Sequence, residues 1–212
     1  MKRRYELKER ARRQAETRQR IVEATVALHT SVGPARTTIS AIAERAGVER
    51  HTVYAHFPDE RALFHACSAH WRRQHPRPDL VRWLELDVPE QRLRGVLSDV
   101  YSWYEAVEAD LEVLQRDRPL VPAQAEVMAD TDKATGELAE DLARGWSRRK
   151  TVRAAIGHAL EFETWRSLVR RQGLSRKQAV DAMVRLVASG APSPELARAE
   201  TTVPAPTAGR LR

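Results

Sequence analysis

Cysteine is almost absent. The one residue, Cys67, cannot close an intramolecular disulfide, and a lone thiol fits a reducing compartment. No run of about 18 apolar residues occurs, so nothing reads as a membrane span. No basic start leads into an apolar h-region, so no secretory signal is evident and a soluble, cytoplasmic protein is expected. Strand-like alternation, internal repeats and heptad runs are missing as well. So are a glycine-rich phosphate loop and the HExxH and GxSxG patterns, which removes the commonest enzymatic signatures. Histidines are present, but His51, His56, His65, His70 and His75 stand five or more apart. Five residues of helix turn about 140° beyond a full circle, so neighbours in that series do not share a face. No metal site and no cofactor are expected. His158 with Glu161 has catalytic spacing, yet such a helical pair is more often structural, and the chain is not read as an enzyme.

What is present is helical periodicity and an uneven charge. The net charge of the 212 residues is +7. Residues 1–75 hold 15 Lys/Arg and 8 Asp/Glu, a difference of +7, whereas residues 76–212 hold 21 of each. The first twenty residues alone carry nine basic and three acidic side chains. A polyanion is the natural partner for such an end, although a solvated basic tail accounts equally well for the charge alone. Arg outnumbers Lys 31 to 5 along the whole chain, a bias without functional content.

Helices follow one another throughout. Ile21, Ala24, Thr25 and Leu28 fall on one helical face,, and Gly33-Pro34 stops that helix. Thr37 and Thr38 offer an N-cap for ISAIAERA. Gly47 ends it, and a short helix of about Glu49 to His56 follows, closed by Phe57-Pro58,. Asp59 can cap a fourth, and HPRPDL ends that one near residue 76,. Longer helices follow: Pro89 to about Glu108, a short ADLEVLQRD, Ala123 to Trp146, Lys150 to Arg171 as one nearly all-apolar helix, and a last one capped by Ser175. From Gly190 the chain is rich in Pro, Ala and Thr, the composition of a disordered tail,.

Two short helices joined by a tight glycine turn make a helix-turn-helix. In AIAERAGVERHTVYAHF, Ala41 to Phe57, each odd feature then has a cause. Ala43 and Ala46 permit close crossing, and Gly47 makes the turn. Val48 and Val53 return to a small core with Ile39, Ile42 and Leu28. Glu49, Arg50, His51 and Thr52 are left facing outward, where base edges are read. Tyr54 and His56 are placed for phosphates, and Thr38 can add a hydroxyl and an exposed N–H to another.

TTISAIAERAGVERHTVYAHFPDERALF resembles the DNA-binding domain of the tetracycline-repressor (TetR/AcrR) family of bacterial transcription regulators. The pieces that carry the likeness are the Thr-Thr, Ile-Ala-x-x-Ala-Gly-Val, Thr-Val-Tyr-x-His-Phe and the later Leu-Phe, within residues 17–75. The resemblance implies an all-α homodimer that binds double-stranded DNA at a palindromic operator, usually as a repressor, and that a small molecule in the C-terminal domain releases. By matching position, Glu49, Arg50 and His51 reach bases, Tyr54, Ala55 and His56 lie along the backbone, and Thr38 meets a further phosphate. Two positions depart from the pattern. His51 stands where glycine is usual, and Glu60 replaces a phosphate-pairing lysine, with Arg61 beside it.

The expected organisation is a basic arm (1–16), an N-terminal three-helix helix-turn-helix DNA-binding domain (17–75), a C-terminal helical ligand-binding and dimerisation domain (76–190) and a disordered tail (191–212). The arm either contacts DNA or is solvated. An apolar circumference on Lys150–Arg171 calls for two neighbours, met by a four-helix bundle across a two-fold axis or by burial within one chain. Trp103, Tyr104, Phe162 and Trp165, with Met128, Trp146 and His158, are the candidate ligand pocket. Each of them taken singly reads as core. The competing function is a helical small-molecule-binding protein or enzyme with a degenerate DNA-binding domain.

Overall fold

Periodic apolar residues, capped starts and glycine or proline stops give helix after helix, and every regular element among the described residues is helical. The computed structural model describes residues 2–146 and 149–190. The expected disordered tail, 191–212, lies outside the described residues. The helices are α1 (Lys2–Ser31), α2 (Ile39–Ala46), α3 (Arg50–His56), α4 (Glu60–Gln74), α5 (Val81–Leu84), α6 (Pro89–Asp117), α7 (Pro122–Ala143), α8 (Lys150–Ala159), α9 (Phe162–Arg166) and α10 (Arg176–Ser189). No helix among the described residues is long and apolar enough to cross a membrane.

The chain divides into two compact units. The first takes residues 1–79 and 102–135. Its core joins Ile21, Val22 and Ala24 of α1 to Ile42, Ala43 and Ala46 of α2, Val53 of α3 and Leu63, Phe64 and Cys67 of α4, with Val121 and Val127 added. Thr25 is buried among them without penalty, because its hydroxyl donates to the Ile21 carbonyl at 2.7 Å,. Asp59 caps α4 by accepting the Ala62 N–H at 2.7 Å, as its position ahead of that helix predicts.

The second unit takes residues 80–101 and 136 onward. Leu93, Val96 and Leu97 of α6, Leu142 of α7, Val152 and Ile156 of α8, Trp165 of α9 and Val184 and Val187 of α10 are among its buried apolar residues. The Trp83 indole lies on Gly95, where a β-carbon would come within 2.3 Å of it. Asp99 holds that indole by accepting its N–H at 2.7 Å. Arg92, nearly fully buried, is satisfied by carbonyls: it donates to Leu86 at 2.8 Å and to Arg144, just past α7, at 3.0 Å,. Ser175 and Gln178 form a reciprocal capping box at the start of α10,.

The two helices expected over Pro89 to about Glu108 and ADLEVLQRD follow one another within α6, with a break from helical geometry at Val107, φ −119° and ψ 15°. Another expectation is overturned. Lys150–Arg171 is not a single helix. The chain leaves helical geometry at Glu161, with φ −74° and ψ 140°, and α9 begins afresh. The Ala159 carbonyl near the end of α8 is taken instead by the Tyr101 hydroxyl at 2.8 Å. The apolar residues on either side of the break are thereby aimed differently, so much of the apolar circumference is buried within the one unit.

Candidate nucleic-acid interface

The turn between α2 and α3 is built from its residue types. Thr38 caps α2 by accepting the Ala41 N–H at 3.1 Å. Gly47 adopts the left-handed conformation, φ 63° and ψ 44°, just past the last turn, and there only glycine avoids a backbone penalty. The Val48 N–H returns to the Ala43 carbonyl at 3.0 Å, closing the helix end. Arg20, reaching from α1, donates to the Ala46 carbonyl at 3.2 Å. The angle between α2 and α3 is therefore held by a backbone turn and a side-chain clamp.

α3 is seven residues long and buries only Val53. Its helical period sorts the others into two flanks. Arg50, His51, Tyr54 and Ala55 are exposed on one, with Glu49 exposed at the N-cap; Thr52 and His56 are half-buried on the other. Tyr54 exposes half of its surface, and Thr38 is exposed as well. All eight residues expected at DNA thus lie outside the core, six exposed and two half-buried on a flank. Below them Phe57 is buried, with the Arg18 guanidinium 4.6 Å from its ring centroid.

That second flank faces α1. The N-terminal basic stretch is helical and continuous with α1, and its residues are nearly all exposed. With α3 it forms an open cleft of about 550 Å³, lined by Tyr5, Arg10, Arg13 and Gln14 on one side and Thr52 and His56 on the other, with Glu6, Glu9 and Thr17. Arg12 points elsewhere on the helix and is tied to Glu9 at 3.0 Å and Glu16 at 3.1 Å.

The departures at the start of α4 also resolve. Glu60 is exposed. Arg61 is engaged with Glu126 at 2.7 Å, both partners more than half exposed. A pair in that setting contributes little, so Arg61 can exchange Glu126 for another anion at small cost.

Sequence reasoning missed a buried polar joint beneath this surface. His29, near the end of α1, is buried, stacks on Phe64 with centroids 4.7 Å apart and sits 3.7 Å from the Cys67 sulfur. Burial pushes its imidazole down to about 4, partly opposed by Asp117, and pushes the Cys67 thiol up to about 12,. Asp117, also buried, accepts the Ala35 N–H at 3.0 Å and pairs with Arg116 at 2.7 Å. Arg116 donates in turn to the Val32 carbonyl at 3.0 Å. Gly33 is positive in φ at 101°, and a β-carbon there would strike Asp117. The Arg116 hydrogen bond holds the Asp117 carboxyl below its ordinary range. The one sequence signal for this joint was Gly33-Pro34, read as a helix stop.

The seven residues named for a ligand pocket fall in both units. In the first, Trp103 and Tyr104 have ring centroids 5.6 Å apart, Trp71 meets Trp103 edge-on at 6.1 Å, and Met128 accepts from Gln124 at 3.7 Å. In the second, Phe162 and Trp165 pair at 5.4 Å. His158 is exposed and lies 3.5 Å from Glu161, the spacing of a surface pair. Trp103 and Trp146 each bury an indole N–H that has no partner among the described residues.

Residues 21–67 match the family described as bacterial regulatory proteins, tetR family. No curated protein matches the chain. Among solved structures, a TetR-like transcriptional regulator from Rhodococcus sp. RHA1 is 19% identical with a TM-score of 0.55, covering 82% of this chain and 94% of its own. A second transcriptional regulator from Rhodococcus sp. Rha1 is 17% identical with a TM-score of 0.56, covering 82% and 97%. The multidrug binding protein EbrR, complexed with imidazole, is 20% identical with a TM-score of 0.53, covering 84% and 96%. At those identities the likeness is one of fold.

Proposed function

We propose that this chain, a member of the tetR family of bacterial regulatory proteins, is a cytoplasmic homodimeric repressor that binds a palindromic operator and leaves it when a small molecule occupies its C-terminal half. The observation that carries the reading is the presentation of α3. A glycine turn fixes it, Val53 anchors it, and Glu49, Arg50, His51, Tyr54 and Ala55 stand exposed on one flank. A helix that buries one residue in seven contributes little to a core, and its exposed face suits a major groove. Arg50 and His51 are the base readers, with Glu49 able to accept from cytosine. Tyr54 and Thr38 supply hydroxyls to phosphates. His51 replaces a glycine and so adds a ring at the groove floor, where it selects the base it meets. The C-terminal half, from about residue 76, holds the effector and the dimer contact; the candidate effector-binding side chains are Trp103, Tyr104 and Met128 in the first unit and, separately, Trp146, His158, Phe162 and Trp165 in the second. The fold shared with a multidrug binding protein supports a small-molecule effector.

The test is a footprint on the DNA upstream of the protein's own gene at physiological salt. Two protected half-sites related by a dyad are expected. Arg50→Ala should then cost about 1–3 kcal/mol at one base position and relax preference there. An equal loss on every sequence would make Arg50 a phosphate contact. A second reading, a helical ligand-binding protein or enzyme with a degenerate DNA-binding domain, is favoured by the departures at Glu60 and His51 and by the engagement of Arg61 with Glu126. It predicts no selected sequence from a random duplex pool.

A further inference from the structure

We propose that the cleft between the N-terminal turns of α1 and the flank of α3 is a phosphate-binding channel for the DNA backbone outside the bases that α3 reads. The inference rests on the DNA-binding reading of α3. It assigns a role to a surface that the base-reading face does not use.

The basic stretch is helix, and a helix with its side chains is about 10–12 Å across, whereas the minor groove is about 6 Å wide. It cannot enter that groove as an extended arm would. Its cations are left with the backbone. Charge is divided around the helix. Arg10 and Arg13 are three apart, share a face and both line the cleft,. Neither makes an ion pair among the described residues. Arg12, on another face, is committed to Glu9 and Glu16 and so neutralises Glu9, an acid in the lining. Glu6 is then the one lining carboxylate without a cation.

On the opposite wall, Thr52 and His56 bring a hydroxyl and an imidazole N–H from α3 itself, so the channel is continuous with the reading helix. Two guanidinium groups facing two further hydrogen-bond donors across an open cleft of about 550 Å³ suit a chain of phosphodiesters,. An apolar occupant would leave both arginines desolvated and unpaired.

The experiment uses the full chain, with a duplex enriched from a random pool by the wild type and an unrelated duplex of the same length. Affinity is measured against salt concentration. R10A/R13A should lose affinity about tenfold on both duplexes, and the slope of log affinity against log salt should fall by roughly 2, at about 0.9 per phosphate. Ala15→Pro keeps every charge but breaks the helix ahead of Ile21, the first buried residue of α1,. It should lose as much as the double variant, because the cleft is gone. Wild-type binding by Ala15→Pro would mean that a loose basic tail suffices, and would overturn the channel. An unchanged salt slope in R10A/R13A would overturn it too, with α3 recognition left standing. A wild type that binds neither duplex would sink α3 recognition and the channel together.

Discussion

His29 is the residue whose environment departs furthest from what its neighbours in sequence suggest. Nothing near it marks a buried imidazole: it sits late in α1, and the apolar stripe Ile21, Ala24, Thr25, Leu28 passes beside it. Phe64 and Cys67 from α4 pack against it, and the charge of Asp117 partly opposes the effect of burial; no local pattern encodes these contacts. The consequence is a pH dependence with a definite sign. The folded protein protonates His29 near pH 4, whereas the ordinary value is 6.5. Between these the unfolded chain binds more protons, so stability rises with pH across the window. The contribution is complete above about pH 6.5 and is lost as pH falls to about 4, a loss on the order of 3 kcal/mol. His29→Phe keeps a ring against Phe64 and removes the titration. Urea unfolding midpoints at several pH values should show the wild type weakening more steeply than His29→Phe between pH 6.5 and 4. Parallel curves would mean that the buried imidazole is not what titrates.

At the level of elements, the N-terminal helices were legible because each boundary has a local cause. Thr38, Gly47 and Asp59 do in the structure what their chemistry predicts. α3 itself starts one residue later than the pattern suggests, with Glu49 as its N-cap. The interruption between α8 and α9 was not legible. No proline lies there, and Tyr101, from a distant helix, takes the Ala159 carbonyl. The single helix read across Lys150–Arg171 followed its periodicity correctly and missed this tertiary bond. The residues set apart as an arm, 1–16, are helical from Lys2 onward as part of α1, since charge composition alone does not tell an arm from a helix. The glycine turn offers a clean test of the local reading. A β-carbon at Gly47 would meet only an Arg20 nitrogen at 3.7 Å, an ordinary contact, so the cost of Gly47→Ala is backbone conformation alone. That cost is about 1–2 kcal/mol, and Gly47→Asn should lose less, because Asn tolerates the left-handed region. Denaturant midpoints for the two variants should rank Gly, then Asn, then Ala. Equal midpoints for all three would show that the turn relaxes, and the fixed α2–α3 angle would go with it.

For the whole molecule, the case for a dimer rests on α10. The apolar surface of Lys150–Arg171 allowed either a second chain or burial within one, and the turn at Glu161 buries Ile156, Leu160, Phe162 and Trp165 within one unit. α10 likewise buries Ala179, Val180, Met183, Val184 and Val187 there. Its other side carries Leu186, 46% exposed, one turn from Ala182. In the same unit α8 exposes Ala154 and half-exposes Gly157, where nothing would obstruct a β-carbon. Small residues of this kind let helices approach closely, and a second copy of α10 would cover Leu186 in a self-complementary contact. A reading helix of seven residues makes the same demand from the other end, since one half-site specifies too little DNA,. Sedimentation of the wild type should therefore give twice 24.1 kDa. Leu186→Glu places a charge on that face without entering either core. It should give a monomer with unchanged thermal unfolding of the subunit and operator affinity at least tenfold weaker. If Leu186→Glu still sediments as a dimer, the two-fold contact lies on another surface. If the wild type is itself a monomer while protecting two half-sites, the copies meet only on DNA.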